Sequence, residues 1–356
     1  MMTRKRTSLS GLWEFSIPDG PCELRTVPGS YPCVGDSIYR RTISLTPPDR
    51  AKKCFLCFEG IAYEGTVTFN GCMLGSMLPY SHYEFDITGL IREGENELLV
   101  ELTDLNAVFG PAEGWKSYSG IIREVYLEER AQSYLADVFF TYDFDPDYAA
   151  ANCHAAITLE GPSEGLSLAA ALHQNGRQIA ALKPTDAQTC CCLEFSLAYP
   201  QLWSPDTPAL YELTVELLDE KGVRKDDYRC QVGFKDLKVS GNHFLLNGQN
   251  LFITGVCRHD LWTDDVAFSQ TDEMIETDLK MMKHMGINYV RLVHYPHDRR
   301  VVEAADRIGL LVSEEPGLWW SDLSNKEITS RALSVLEKVI YRDRNHVSVA
   351  FWLSFN

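Results

Sequence analysis

The run Tyr289-Val290-Arg291-Leu292-Val293-His294-Tyr295-Pro296 decides the fold. It is an apolar, strand-like stretch that ends in polar side chains able to do chemistry. The same form precedes it, where Phe252-Ile253-Thr254-Gly255-Val256 runs into Cys257-Arg258-His259-Asp260. It recurs where Leu310-Leu311-Val312 runs into Ser313-Glu314-Glu315-Pro316-Gly317. A fourth apolar run, Ser348 to Ser354, follows Arg342-Asp343-Arg344-Asn345-His346 and leads to Asn356. Helical patterns separate these runs. Residues 269–285 begin with Ser269 or Thr271 as a cap and Asp272 and Glu273 in the first turn. They finish with Lys280, Lys283 and His284 late, and Gly286 as the stop. Met274, Ile275, Leu279, Met282 and Met285 form one apolar stripe, which reads as core. Residues 298–308, ended by Gly309, and residues 328–341 predict two more helices. Strand, polar end, helix, repeated, is how a (β/α) barrel collects chemistry at the C-terminal ends of its parallel strands. A closed barrel needs eight strands in roughly 250 residues, so this pattern reaches the first half of one.

Upstream the period is two. Gly11 to Ile17, Tyr39 to Leu45, Cys54 to Phe58, Thr66 to Phe69, Glu97 to Leu102 and Glu124 to Leu127 are short, mostly alternating runs separated by turn residues. Asn70-Gly71 is a hairpin signal. These features predict a sandwich or jelly roll. The style repeats in Ala156 to Leu159, Leu168 to Leu172, Cys192 to Leu197 and Tyr211 to Leu218, with a second hairpin turn at Asn175-Gly176. That reads as an immunoglobulin-like sandwich. The expected organisation is multidomain, mainly β and then α/β: a jelly roll over 1–131, an immunoglobulin-like sandwich over 132–236, and barrel strands one to four over 237–356.

The totals bound the function. The chain has 356 residues, 45% hydrophobic and 23% charged, enough for packed cores. Its formal net charge of −17 argues against nucleic-acid and anionic-membrane partners, because phosphate binding needs a basic face. No apolar run approaches the ~20 residues of a membrane span. Residues 1–10 are basic and then polar, without an apolar signal core, so a cytoplasmic location is expected. The 11 cysteines include the adjacent Cys190, Cys191 and Cys192 and the pair Cys54 and Cys57, which reads as alternating strand residues. Buried thiols in a reducing compartment are expected.

Taken in order, the motifs resemble glycoside hydrolase family 2, which includes β-galactosidases, β-glucuronidases and β-mannosidases. Trp13-Glu14-Phe15, Val27-Pro28-Gly29, Phe58-Glu59-Gly60-Ile61, Val67-Thr68-Phe69-Asn70-Gly71, Phe85-Asp86-Ile87-Thr88 and Tyr118 to Val125 resemble its N-terminal sugar-binding sandwich. Leu202-Trp203-Ser204-Pro205 with Leu210-Tyr211 resembles the end of its middle domain. Asn247-Gly248, Arg258-His259-Asp260, His294-Tyr295-Pro296 and Arg342 to His346 resemble its barrel. The resemblance implies retaining, exo-acting hydrolysis of β-glycosides, with a carbohydrate as partner and no cofactor. It also implies an acid/base glutamate directly after Asn356 and a nucleophilic glutamate further along. Retaining glycosidases need both carboxyls, about 5–5.5 Å apart. No catalytic carboxylate is therefore expected within residues 1–356, which on their own are expected to be inactive. The other reading is a non-catalytic carbohydrate-binding or scaffold protein with a vestigial barrel.

His259 and His294 follow strands one and two, where they contact sugar hydroxyls or serve as framework. Asp260 binds substrate or orients His259. Arg291 lowers the pKa of the nucleophile, fills a structural barrel position, or does both. Trp319, with Trp320, forms a sugar-stacking wall or packs a loop. The family counterpart of Asn356 contacts the sugar 2-hydroxyl. Glu314 and Glu315 point in opposite directions if the strand alternates, one to the site and one to structure. Trp319 stands where some relatives bind magnesium through a carboxylate, so no such metal is expected. Gly114, beside Glu113, stands where many relatives have an acidic residue. An open half barrel presents two sheet edges, and association of copies through it is expected.

Overall fold

In the computed structural model, residues 3–103, 118–263, 266–318 and 322–354 are described. Period-two burial builds the first unit. Trp13 and Phe15 turn inward from Gly11–Ser16, as do Val67 and Phe69 from Glu64–Phe69 and Leu98, Val100 and Leu102 from Gly94–Thr103. These strands belong to a six-stranded sheet in the order Glu23–Val27, Gly11–Ser16, Ser37–Leu45, Gly94–Thr103, Glu64–Phe69, Cys72–Met77. A four-stranded sheet faces it, ordered Lys5–Ser8, Val125–Ala131, Lys52–Phe58, Tyr83–Asp86. One core with Trp13, Leu56, Phe58, Phe69 and Val125 fills the space between.

Cys54 and Cys57 do not alternate in burial. Both are buried, because the second face of Lys52–Phe58 is covered as well, where Phe55 and Cys57 pack with Tyr126 and Tyr134. The expectation of buried thiols holds only in part. All the cysteines are free, but Cys22, Cys72, Cys190, Cys192 and Cys257 are exposed.

The middle unit packs a three-stranded sheet (Tyr134–Phe144, Ala150–Glu160, Cys190–Ala198) on a four-stranded one (Arg177–Asp186, Leu166–Gln174, Tyr211–Asp219, Arg224–Val232). Asn70-Gly71, Asn175-Gly176 and Asn247-Gly248 all have φ between 51° and 80° and close hairpins, as a left-handed turn pair should.

The last unit opens with an antiparallel hairpin sheet, Leu237–Ser240, His243–Leu246 and Gln249–Leu251. Four parallel strands follow in sequence order: Gly255–Arg258, Tyr289–Leu292, Leu311–Glu314 and Val349–Trp352. Helices Asp272–His284, Arg299–Ile308 and Lys326–Asp343 separate them. Thr271 caps the first helix by accepting from the Met274 amide, and Gly309 closes the second in the left-handed region. No helix is long and apolar enough to cross a membrane among the described residues.

The first barrel strand departs from the sequence expectation: it begins at Gly255, and Phe252 is 85% exposed. The chain is leaving the hairpin there. The Asn288 side chain, not a strand ladder, satisfies the Thr254 amide and the Phe252 carbonyl. The fourth strand is half-buried throughout. Its Phe351 ring meets Tyr289 and the hairpin residue Phe244, which covers part of the open face.

Three side chains join the units. Arg4 grips the Asp226 carboxylate at 2.9 and 2.7 Å and the Leu135 carbonyl at 2.6 Å, fastening the first strand to the middle unit. Asn345 accepts from the Phe140 amide and donates to the Val138 carbonyl. Trp203, fully buried, donates its indole N–H to the Asp306 carbonyl of the second helix at 2.9 Å. Trp203→Ala should therefore cost ~3–5 kcal/mol, read as a shift of the urea midpoint at unchanged slope. An unshifted midpoint would mean that the indole does not fasten the barrel to the middle unit.

Candidate functional site

Arg258 closes the first barrel strand with its side chain fanned over four partners. It donates to Asp278 at 2.6 Å, Gln270 at 2.6 Å, Asp260 at 3.1 Å and His297 Nδ1 at 3.2 Å. Since Arg258 donates to Nδ1, the His297 proton sits on Nε2 and goes to the Val293 carbonyl, 2.9 Å away. Burial pushes His297 down to about 3, with the Arg258 guanidinium adding to it against the pull of Asp260. This ring is a neutral strut.

Asp260 is the hub. Its Oδ1 accepts from Arg258 and Gln270, and its Oδ2 from the Asp298 amide at 3.0 Å and Arg123 at 3.3 Å. Burial opposes the charge, but the Arg258 and Arg123 guanidiniums hold the carboxyl well below the usual carboxylate range. The sequence placed Asp260 against substrate or behind His259. Its carboxylate is wholly buried and both oxygens are engaged, so a substrate contact is corrected to a structural role.

Arg123 comes from the first unit, within Tyr118 to Val125, and the sequence assigned it no role. Besides Asp260 it donates to the Tyr80 carbonyl at 2.8 Å and the Pro296 carbonyl at 2.7 Å. Tyr80 also stacks on Tyr295, ring centres 4.7 Å apart, in a buried cluster with Tyr63, Tyr118, Ile122 and Phe268. The sequence signal was a cation directly after two isoleucines, Ile121-Ile122-Arg123, within that motif.

Above this hub lie His259, His294 and Arg291. The two imidazoles stand edge to face with centres 5.5 Å apart, both half-buried. Burial, then the neighbouring His294 and Arg258, push His259 down to about 4, so it is a neutral donor or acceptor near pH 7. His294 Nδ1 lies 3.3 Å from one oxygen of Glu315, and Arg291 Nε donates to the other at 2.5 Å. That hydrogen bond, against burial, raises Arg291 above its ordinary value. The sequence made Arg291 a partner for a nucleophile; here Glu315 holds its Nε. Glu315 thus belongs with the site cluster, while Glu314 turns the other way towards Arg342, which also binds Asp343. Glu314 is fully buried, and burial and the Asp343 carboxylate push it well above the carboxylate range. Trp319, Trp320, Asn356, Glu113 and Gly114 lie outside the described residues.

The chain is similar to known proteins along most of its length. Residues 237–356 match the model of glycosyl hydrolases family 2, TIM barrel domain, and residues 133–235 the model of glycosyl hydrolases family 2. Residues 31–109 match the glycosyl hydrolase 2 galactose-binding domain-like model. A β-galactosidase of Aeromonas hydrophila is 31% identical over 93% of this chain and 34% of its own length. One from Thermoanaerobacter pseudethanolicus is 29% identical over 95% of this chain and 47% of its own length. The chain thus spans about a third to a half of these curated relatives. Among solved structures, a β-glycosidase from Bacteroides vulgatus superposes with a TM-score of 0.86 at 26% identity, over 98% of this chain and 50% of that one. An FMN-binding β-glucuronidase from Facaelibacterium prausnitzii L2-6 shares the fold, with a TM-score of 0.91 at 22% identity over 99% of this chain and 58% of that one.

The lowered His259 pKa has a signed consequence. An unfolded histidine takes up its proton near 6.5, whereas folded His259 resists until about 4. Its contribution is intact above pH ~6.5 and is lost as pH falls towards 4, because the unfolded chain binds the extra proton. Imidazole nitrogen NMR should find His259 neutral at pH ~5, and His259→Gln should flatten the fall in stability across that window. A ring half-protonated near 6.5 would contradict the burial argument.

Proposed function

This chain belongs to glycosyl hydrolases family 2, and on that premise we propose that the whole protein is a retaining, exo-acting β-glycosidase whose sugar is held partly by His259, His294 and Arg291. One observation carries the reading: these three side chains meet over Glu315 at the C-terminal ends of adjacent barrel strands, half-buried and so open to a ligand. A neutral imidazole donates to one hydroxyl or accepts from another, which suits an uncharged polyol. Glu315 orients both the Arg291 guanidinium and the His294 ring.

In this reading Glu314 and Glu315 are not the catalytic pair. Both are fully buried and committed to different cations, whereas a retaining mechanism needs two carboxyls facing one glycosidic bond about 5–5.5 Å apart. The proton donor follows Asn356 and the nucleophile lies further along. Pairing of copies through the open barrel sheet belongs to the same reading. Light scattering of residues 1–356 tests it, with a dimer expected and a strict monomer against it.

The full-length protein should hydrolyse at least one aryl β-glycoside in a panel that includes galactosides and glucuronides, with retention of the anomer formed first. His294→Ala in that protein should lower kcat/KM at least ~10-fold, since a lost hydrogen bond in the transition state costs above ~1 kcal/mol. Unchanged kinetics with a lower melting temperature would assign His294 to the framework. Residues 1–356 alone should show no turnover. Turnover that disappears on changing Glu314 or Glu315 would overturn the exclusion of those two carboxylates.

A further inference from the structure

Far from the barrel mouth, the middle unit brings together three kinds of metal-ligating atom. His154 lies on Ala150–Glu160, and Cys192 and Glu194 lie on its antiparallel neighbour Cys190–Ala198. The register sets His154 opposite Glu194 and the small Ala156 opposite Cys192. Side chains two apart share a face, so imidazole, thiol and carboxylate converge on the outer side of the sheet. Their ligand atoms all lie within 4.8 Å of one another. Zinc bonds of about 2.0–2.3 Å place tetrahedral ligand atoms roughly 3.3–3.8 Å apart, so small side-chain adjustments close this set on an ion.

A second feature fits the same chemistry. His154 Nδ1 is 3.5 Å from the Glu194 carboxylate, and Nε2 is 3.8 Å from that of Asp143 on the adjoining strand Tyr134–Phe144. A metal-bound histidine ordinarily gives its second ring nitrogen to a carboxylate, which fixes tautomer and orientation.

We propose that His154 Nδ1, the Cys192 thiolate and the Glu194 carboxylate bind one zinc-type divalent cation, with water as fourth ligand and Asp143 steering the imidazole through Nε2. A nitrogen, a sulfur and an oxygen suit a borderline-soft ion and disfavour calcium or magnesium, which take oxygen alone. Binding forms the metal–sulfur bond and releases the thiol proton to solvent, so affinity falls as pH falls. Cys190–Ala198 is an edge strand of the three-stranded sheet, so the ion would fasten that edge to its neighbour.

The test is spectroscopic, on the metal-free 1–356 chain. Cobalt(II) should bind at one equivalent with thiolate-to-metal charge-transfer absorption, and zinc should displace it with a rise in melting temperature. Cys192→Ser should abolish the absorption, and His154→Ala or Glu194→Ala should weaken binding at least ~10-fold. Cys190→Ser is the control, an exposed thiol on the same strand, and should keep the absorption. Circular dichroism checks that each variant is folded. No charge-transfer absorption, or absorption that survives Cys192→Ser, would overturn the proposal.

Discussion

The contact on which the rest of the structure depends is that of Arg123 with Asp260. A guanidinium from the first unit crosses to a carboxylate at the barrel mouth, and both side chains are almost wholly removed from water. Either charge alone would be very costly there, so each is tolerable only because the other, and further hydrogen bonds, are in place. Asp260 fills its lone pairs with Arg258, Gln270 and the Asp298 amide, and Arg123 spends further donors on the Tyr80 and Pro296 carbonyls. The position of the first unit and the path of the His294-Tyr295-Pro296 loop are thus set together. The jelly roll serves the site as a buttress: Tyr80 stacks on Tyr295, and the neighbouring residue of that loop, His294, faces His259.

Two adjacent glutamates show how the barrel separates structure from function. Glu314 ends the third strand and Glu315 follows it, so their side chains leave in opposite senses. Glu315 meets Arg291 and His294 beneath an open rim. Glu314 meets Arg342 and is crowded by the Asp343 carboxylate, which pushes its pKa up, as burial does. The same residue type thus orients two groups at the mouth and, one position earlier, fastens the third helix under the sheet.

Much of this was readable from residue order, because the signals are local. The switch from period two to helix-sized spacing, the Thr271 cap, the Gly309 stop and the Asn-Gly turns each depend on a few neighbouring residues, and all stand in the structure. Strand ends also marked His259, His294 and Arg291, which stand together in the structure. What was not readable depends on partners distant in sequence. Asp260 read as a substrate ligand or a support for His259 because Arg123, 137 residues earlier, is invisible as its partner. The run Arg342 to His346 read as one barrel motif, yet its members disperse: Arg342 to Glu314, Arg344 to Asp137, Asn345 to the Phe140 backbone and His346 to Asp306. Phe252 read as strand because its apolarity resembles a barrel interior, whereas the preceding hairpin holds it outside the ladder.

The central claim is that Arg123 and Asp260 act as one unit across the domain boundary. A double-mutant cycle with Arg123→Met, Asp260→Asn and the pair, followed by urea unfolding near neutral pH, measures it most directly. Each single variant strands a buried partner, so the account predicts that the double variant is less damaged than the sum of the singles, with a coupling of about 2–3 kcal/mol. Additivity within ~0.5 kcal/mol would contradict it, because independent sites add to about that precision.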